Sequence, residues 1–171
     1  MKTTGRPAID PALRTPHSAL AFVALGSNLG DSRQIFAKAL ARVQEFTAAP
    51  LLKSSFIETA PVDCPLGSPI FLNAVVGFAP RAGETPESLH ARLQALEKEF
   101  GRQPKAILNE PRPLDLDLIA FGDETRNTPA LILPHPRAHR RKFVLQPLAK
   151  IAPDFILPGQ KRAVAELLAD L

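Results

Sequence analysis

The chain has 171 residues, 45% of them hydrophobic and 22% charged, which is the composition of one globular domain long enough to bury a full core. Its single cysteine, Cys64, excludes an internal disulfide and fits a reducing compartment, and no apolar run approaches the roughly 20 residues of a membrane span. The net charge of +4 suits an anionic partner, but the absence of Trp and Tyr counts against a base-stacking nucleic-acid surface.

Residues 1–18, with Pro7, Pro11 and Pro16, lack an apolar signal core and read as a flexible tail, so one domain is expected over 19–171. Leu20 to Leu25 reads as a strand, ended by Gly26-Ser27-Asn28-Leu29-Gly30. Asp31 is placed to cap a helix, with Gln34 three residues on. Ile35, Phe36, Ala39, Leu40, Val43 and Phe46 then follow helical spacing. A second strand is expected over Leu51 to Thr59, a proline-rich loop over Ala60–Pro69, and a third strand over Ile70 to Phe78. Thr85-Pro86 opens a second helix that buries Leu89, Leu93, Leu96 and Phe100 and stops at Gly101. The next strand runs from Asp115 to Phe121 and turns at Gly122-Asp123 toward a partner strand at Ala130–Leu133. Helical turns follow Pro136, with a short last helix over Arg162 to Leu171.

The order β-α-β-β-α-β is that of a ferredoxin-like α+β fold with an extra hairpin strand and C-terminal helices. It predicts an antiparallel sheet with two helices on one face and the other face or edge free for a ligand. No internal repeat or second domain is visible.

Pro111-Arg112-Pro113-Leu114-Asp115-Leu116-Asp117-Leu118-Ile119 carries the most chemistry. Alternation along a strand puts Asp115 and Asp117 on one face, roughly 7 Å apart, and the leucines on the other. Aspartate is depleted in strands, and neighbouring carboxylates repel unless a cation lies between them. Hard oxygen ligands select Mg²⁺ or Mn²⁺. A solvent-facing amphipathic strand would show the same alternation. Arg112, restrained between two prolines, is aimed at a fixed place.

Other signals are weaker. Gly26-Ser27-Asn28 either cradles an anion on backbone N–H groups or is a tight turn before a helix cap; the chain holds no P-loop spacing. Asn73, inside an apolar strand, has the donors and acceptor to read the edge of a pterin or purine. Phe71 on the same face is placed to stack, and Thr59 with the loop after it to line the pocket. An Asn bonded to nearby backbone is the plain alternative. Pro134-His135-Pro136-Arg137, with Arg140, Arg141, Lys142 and Phe143, is either a polyphosphate clamp or a solvated basic loop, as are Arg102 and Lys105.

Together Ala24-Leu25-Gly26-Ser27-Asn28-Leu29-Gly30, Phe71-Leu72-Asn73-Ala74, the Arg112–Asp117 segment and Leu133-Pro134-His135-Pro136 resemble one family, 6-hydroxymethyl-7,8-dihydropterin pyrophosphokinase. The resemblance runs from about Phe22 to Pro158. It implies transfer of pyrophosphate from ATP to the hydroxymethyl group of the reduced pterin, with release of AMP, in folate biosynthesis. It implies that Asp115 and Asp117 hold two Mg²⁺ ions and that Arg102 and Arg112 close over the phosphates. It implies that Thr59, Val62, Phe71, Asn73 and Phe143 bind the pterin, and that Gln94, Glu97, Lys105, Leu118, His135 and Arg141 line the ATP site. A cytoplasmic monomer acting on small molecules, with no nucleic-acid or membrane partner, is expected.

The chain departs from the family pattern in places. Asn109-Glu110 stands where many members carry Trp-Gly, Phe71 where tyrosine is common, Pro136 where an aromatic often follows the histidine, and Ala130 where some relatives are basic. The first of these keeps a catalytically impaired pterin- or nucleotide-binding protein as an alternative. An RNA-binding ferredoxin-like module is a further one, disfavoured by the lack of surface aromatics on the central strands.

Overall fold

A computed structural model describes residues 17–171. The strands are β1 (Ala21–Ser27), β2 (Leu52–Lys53), β3 (Ile57–Thr59), β4 (Phe71–Phe78), β5 (Asp115–Phe121), β6 (Arg126–Asn127) and β7 (Ile132–Leu133). The helices are α1 (Ser32–Gln44), α2 (Pro86–Glu99), α3 (Lys142–Ile151) and α4 (Val164–Ala169). One sheet has the order β2-β4-β1-β5, with β3 also paired to β4, and every pairing is antiparallel. This is the ferredoxin-like order anticipated from the sequence. No described helix is long and apolar enough to cross a membrane.

Local chemistry sets the helix ends. Asp31 caps α1 by accepting the Gln34 N–H at 3.1 Å. Thr85 caps α2 and exchanges hydrogen bonds with Ser88, and Pro86 occupies the first turn. Gly101, at φ +88°, takes the left-handed backbone that ends α2. Phe36, Ala39 and Val43 of α1, and Leu89, Leu93 and Leu96 of α2, are buried against one sheet face. Ala21, Val23 and Leu25 of β1, Leu72, Ala74 and Val76 of β4, and Leu114, Leu116 and Leu118 supply that face.

The opposite face is not free, as the sequence had suggested. Phe22, Val75 and Ile119 point from it into a second core made with Val144, Leu145 and Leu148 of α3 and Val164 of α4. The terminal apolar segment covers that part of the face, and the site residues lie toward the end where β1 finishes and β4 and β5 begin.

Three strand expectations are corrected. The first strand continues through Gly26 and Ser27, because both stay in register with β4. Leu51 to Thr59 is two short strands, since the Ser54 hydroxyl takes the place of a backbone acceptor. It accepts the Val75 N–H at 2.9 Å while the Ser54 N–H donates to the Val75 carbonyl at 3.0 Å. Ala130–Leu133 does not extend the main sheet; Ile132 and Leu133 pair with Asn127 and Arg126 in a separate ribbon.

The expected tail boundary also moves. His17–Ala19 forms a 3-10 turn, and the His17 ring meets Phe22 and Phe155 edge-on, so the fold takes in residues read as tail. The rest of that expectation, over 1–16, lies outside the described residues.

Candidate active site

The uncovered end of the sheet is built on cross-strand register. Gly26 in β1 lies opposite Asn73 of β4 on one side and Asp115 of β5 on the other. A Cβ at Gly26 would stand 3.7 Å from Asn73 Oδ1, 3.8 Å from Asp115 Cβ and 3.9 Å from the Phe71 ring. The glycine keeps a floor clear between an amide, a carboxylate and an aromatic face. Its role follows from register, a signal that the motif Gly-Ser-Asn alone does not carry.

Asn73 is buried, and its Nδ2 donates to the Thr59 hydroxyl at 2.7 Å, while Thr59 pairs with Phe71 across β3 and β4. Phe143, in the first turn of α3, packs against the second core beside this corner, with the Arg141 guanidinium 5.3 Å from its ring centre. Thr59, Phe71 and Asn73 are therefore gathered as expected. Val62 stands well exposed on the rim.

Asp115 and Asp117 do share a face of β5. Each oxygen of Asp115 meets one arginine: Oδ1 accepts from Arg102 Nη1 at 2.6 Å, and Oδ2 lies 3.1 Å from Arg112 Nη2. Burial opposes ionisation of Asp115, but the Arg112 and Arg102 guanidiniums outweigh it and hold the carboxyl below its usual range. Asp117 has no such partner; burial and the Asp115 charge push it up to about 6. Glu97 of α2 accepts the Leu116 N–H at 2.7 Å and lies 3.7 Å from Arg102. Burial, with the Asp115 charge behind it, pushes Glu97 up to about 7 despite that backbone bond.

His135 closes the site from the far side. Its N–H donates to the Ile119 carbonyl at 2.9 Å, and its Nδ1 accepts the Arg137 N–H at 3.2 Å. That leaves the ring proton on Nε2, 3.9 Å from Asp117. Burial, then the charges of Arg141 and Arg137, lower His135 to about 4, so the ring is neutral at pH 7.

Arg112 is held from several sides. It lies 5.1 Å over the Phe71 ring, Nη1 donates to the Glu110 carbonyl at 3.2 Å, and Nε is buried without a partner. A buried orphan donor beside two carboxylates fits a ligand that brings oxygen acceptors. Among the described residues no three His, Cys, Asp or Glu side chains converge as a metal cluster. Two same-face carboxylates nonetheless offer oxygen donors of the kind a Mg²⁺ ion takes, and such an ion would complete its shell with phosphates and water. The raised Asp117 carboxyl is the group such a cation would relieve.

Other expectations fare differently. Leu118 is buried in the first core, because alternation sends it away from Asp117; its side chain does not line the site. Gln94 and Lys105 are exposed on α2 and the loop after it. Lys105 still flanks a cleft of about 270 Å³ with Leu29, Arg102 and Arg112. The Gly26–Asn28 N–H groups are not a free anion cradle: the Asn28 N–H donates to the Arg112 carbonyl at 3.2 Å, and the two preceding residues lie within β1. Asn28 itself was missed. Its Oδ1 accepts the Arg112 N–H at 3.0 Å and its Nδ2 reaches the Pro69 carbonyl at 3.3 Å, across 84 and 41 residues of sequence.

Comparison with known proteins points the same way. The family model described as 7,8-dihydro-6-hydroxymethylpterin-pyrophosphokinase matches residues 22–153. The 2-amino-4-hydroxy-6-hydroxymethyldihydropteridine pyrophosphokinase of Pseudomonas aeruginosa is 37% identical over 148 residues, 86% of this chain and 89% of that protein. The protein of the same name from Bacillus subtilis is 38% identical over 133 residues, 77% of each. The folic acid synthesis protein fol1 of Pneumocystis carinii is 36% identical, but this chain spans only 19% of its length. The fold is shared with the crystal structure of Plasmodium falciparum HPPK-DHPS with pteroate, at a TM-score of 0.68 and 13% identity, over 88% of this chain and 42% of that one.

Proposed function

We infer the activity of this chain from one premise: it belongs to the 7,8-dihydro-6-hydroxymethylpterin-pyrophosphokinase family. It transfers a pyrophosphoryl group from ATP to the hydroxymethyl oxygen of 6-hydroxymethyl-7,8-dihydropterin and releases AMP, a step of folate synthesis. The observation that supports this reading is the register row Asn73–Gly26–Asp115, which sets an amide-and-aromatic pocket one strand from a carboxylate pair flanked by arginines.

In this reading the flat pterin lies over Gly26. Asn73 and Thr59 meet its polar edge, and Phe71 and Phe143 meet its ring. Asp115 and Asp117 would hold two Mg²⁺ ions, which supply charge neutralisation and a more acidic substrate hydroxyl. Arg102 and Arg112, already anchored on Asp115, offer their remaining N–H groups, Arg112 Nε among them, to the phosphates. His135 and Arg141 face the same end of the polyphosphate. The protein's share of catalysis is alignment and charge stabilisation, and no side chain is assigned as general base.

The direct test is AMP formation from Mg²⁺-ATP with and without 6-hydroxymethyl-7,8-dihydropterin. Pterin-dependent AMP is expected. Pterin binding without AMP would leave a binding protein instead of an enzyme.

A further inference from the structure

Only two non-glycine residues among the described ones adopt a left-handed backbone, Asp63 at φ 53° and Asn109 at φ 55°. Such backbones are unfavourable for residues with side chains and persist where surrounding contacts fix them. These two fix each other: Asn109 Nδ2 donates to the Asp63 carbonyl at 2.7 Å, across 46 residues of sequence.

The bond joins two loops with different duties. One, over 60–70, leaves β3 just after Thr59 and returns to the sheet at Phe71, so it frames the pterin corner. The other, over 100–114, carries Arg102 and Arg112. Asn28 ties the same two loops at their roots, through the Pro69 carbonyl and the Arg112 N–H. Asn109 ties them at the rim. Next to it, the Glu110 carboxylate accepts the N–H groups of Ala106 and Ile107 at 3.1 and 3.4 Å, and its carbonyl holds Arg112. Glu110 is thus bound up in folding its own loop and does not stand as a free charge against phosphate.

The geometry points to Asn109 as a positioning residue that couples the two loops, so that the shape of the pterin corner depends on a side chain of the arginine loop. This rests on the assignment of the pterin to the Asn73 pocket. It also gives the Asn109-Glu110 departure from the family pattern a physical role: a hydrogen-bonded clasp stands where an indole is common.

Two variants test the clasp. Asn109→Gly keeps the left-handed backbone and removes the donor; Asn109→Asp keeps side-chain size and tolerance of that backbone and also removes the donor. Both should weaken binding of 6-hydroxymethylpterin, titrated without ATP, by about fivefold, the worth of one such hydrogen bond. The melting temperature should fall by only about 2–4 °C, so the fold persists. A shift confined to the KM for ATP, with pterin binding as in wild type, overturns the proposal.

A second readout needs no ligand. The protein has no Trp or Tyr, so Leu108→Trp gives a lone reporter on the clasped loop. Acrylamide should quench it more readily when Asn109→Gly is added, and equal quenching also overturns the clasp. If wild type binds no pterin, the reading of the pocket fails, while the quenching comparison still decides the clasp.

Discussion

The two faces of β5 differ by one residue of phase and by everything else. Leu114, Leu116 and Leu118 are sealed under α1 and α2, whereas Asp115 and Asp117 face the one end of the sheet that α3 leaves open. Alternation alone separates them. The leucine side is held by close packing, which leaves the strand little room to shift. The aspartate side is electrically unsatisfied: one carboxyl is held down by two arginines, and its neighbour is pushed up by burial and by the charge of the first. The packed face supplies the rigidity that lets two like charges be kept together until a ligand compensates them.

That comparison fails if the two faces do not separate function from stability. The largest effect is expected from Asp117→Ala, which should cut pterin-dependent AMP formation about a thousandfold, some 4 kcal/mol of transition-state stabilisation. The fold should lose nothing, since the variant removes a carboxyl whose ionisation burial opposes. Activity within a few-fold of wild type would place the chemistry elsewhere. Leu116→Ala, one residue away, should do the reverse. It should cost about 3 kcal/mol in denaturant unfolding through the cavity it leaves, with turnover per folded molecule close to wild type. A well-folded Leu116→Ala protein as inactive as Asp117→Ala would erase the distinction between the faces.

A smaller effect sharpens the comparison within the polar face. Asn73→Ala removes the amide opposite Gly26 but no charge. Pterin affinity should fall about tenfold, with ATP affinity unchanged, as measured by separate titrations. Loss of both affinities in equal measure would mean that the pocket and the carboxylate pair are not distinct subsites.

How much of this could be read from the sequence follows from the range of each interaction. The shared face of the aspartates is a two-residue periodicity, and the helix caps at Asp31 and Thr85 are three-residue patterns, so both were legible. The split of the second strand at Ser54 was not, because it depends on a hydroxyl entering the ladder of a strand about 20 residues away. Nor could the covering of the second face be seen, since the apolar stripe of α3 does not name the sheet face it will meet. Leu118 shows a different limit: motif resemblance assigns it to the ATP site, while the period that pairs the aspartates turns its side chain inward. Asn28 and Asn109 join loops far apart in the chain. No local pattern distinguishes an asparagine that does this from one in an ordinary turn.

The smallest prediction concerns Glu97, which belongs to the packed side by its helix and to the polar side by its carboxyl. Its value in the folded state, about 7, lies above that of an ordinary carboxyl near 4.5. The unfolded chain therefore releases this proton more readily than the native one. Whatever stability the group contributes is fully present below about pH 4.5 and is lost as pH rises toward about 7. Asp117 has the same sign over a lower range, and His135, depressed to about 4, has the opposite one, so the protein's own profile mixes three slopes. Glu97→Gln isolates one of them, because a Gln oxygen can still accept the Leu116 N–H while the proton is gone. In chelator, the variant should gain melting temperature relative to wild type as pH rises from 5 to 8. A constant difference across that range would show that Glu97 carries no proton the fold has to lose. The compensation of charge at this end of the sheet would then stop at the two aspartates and their arginines.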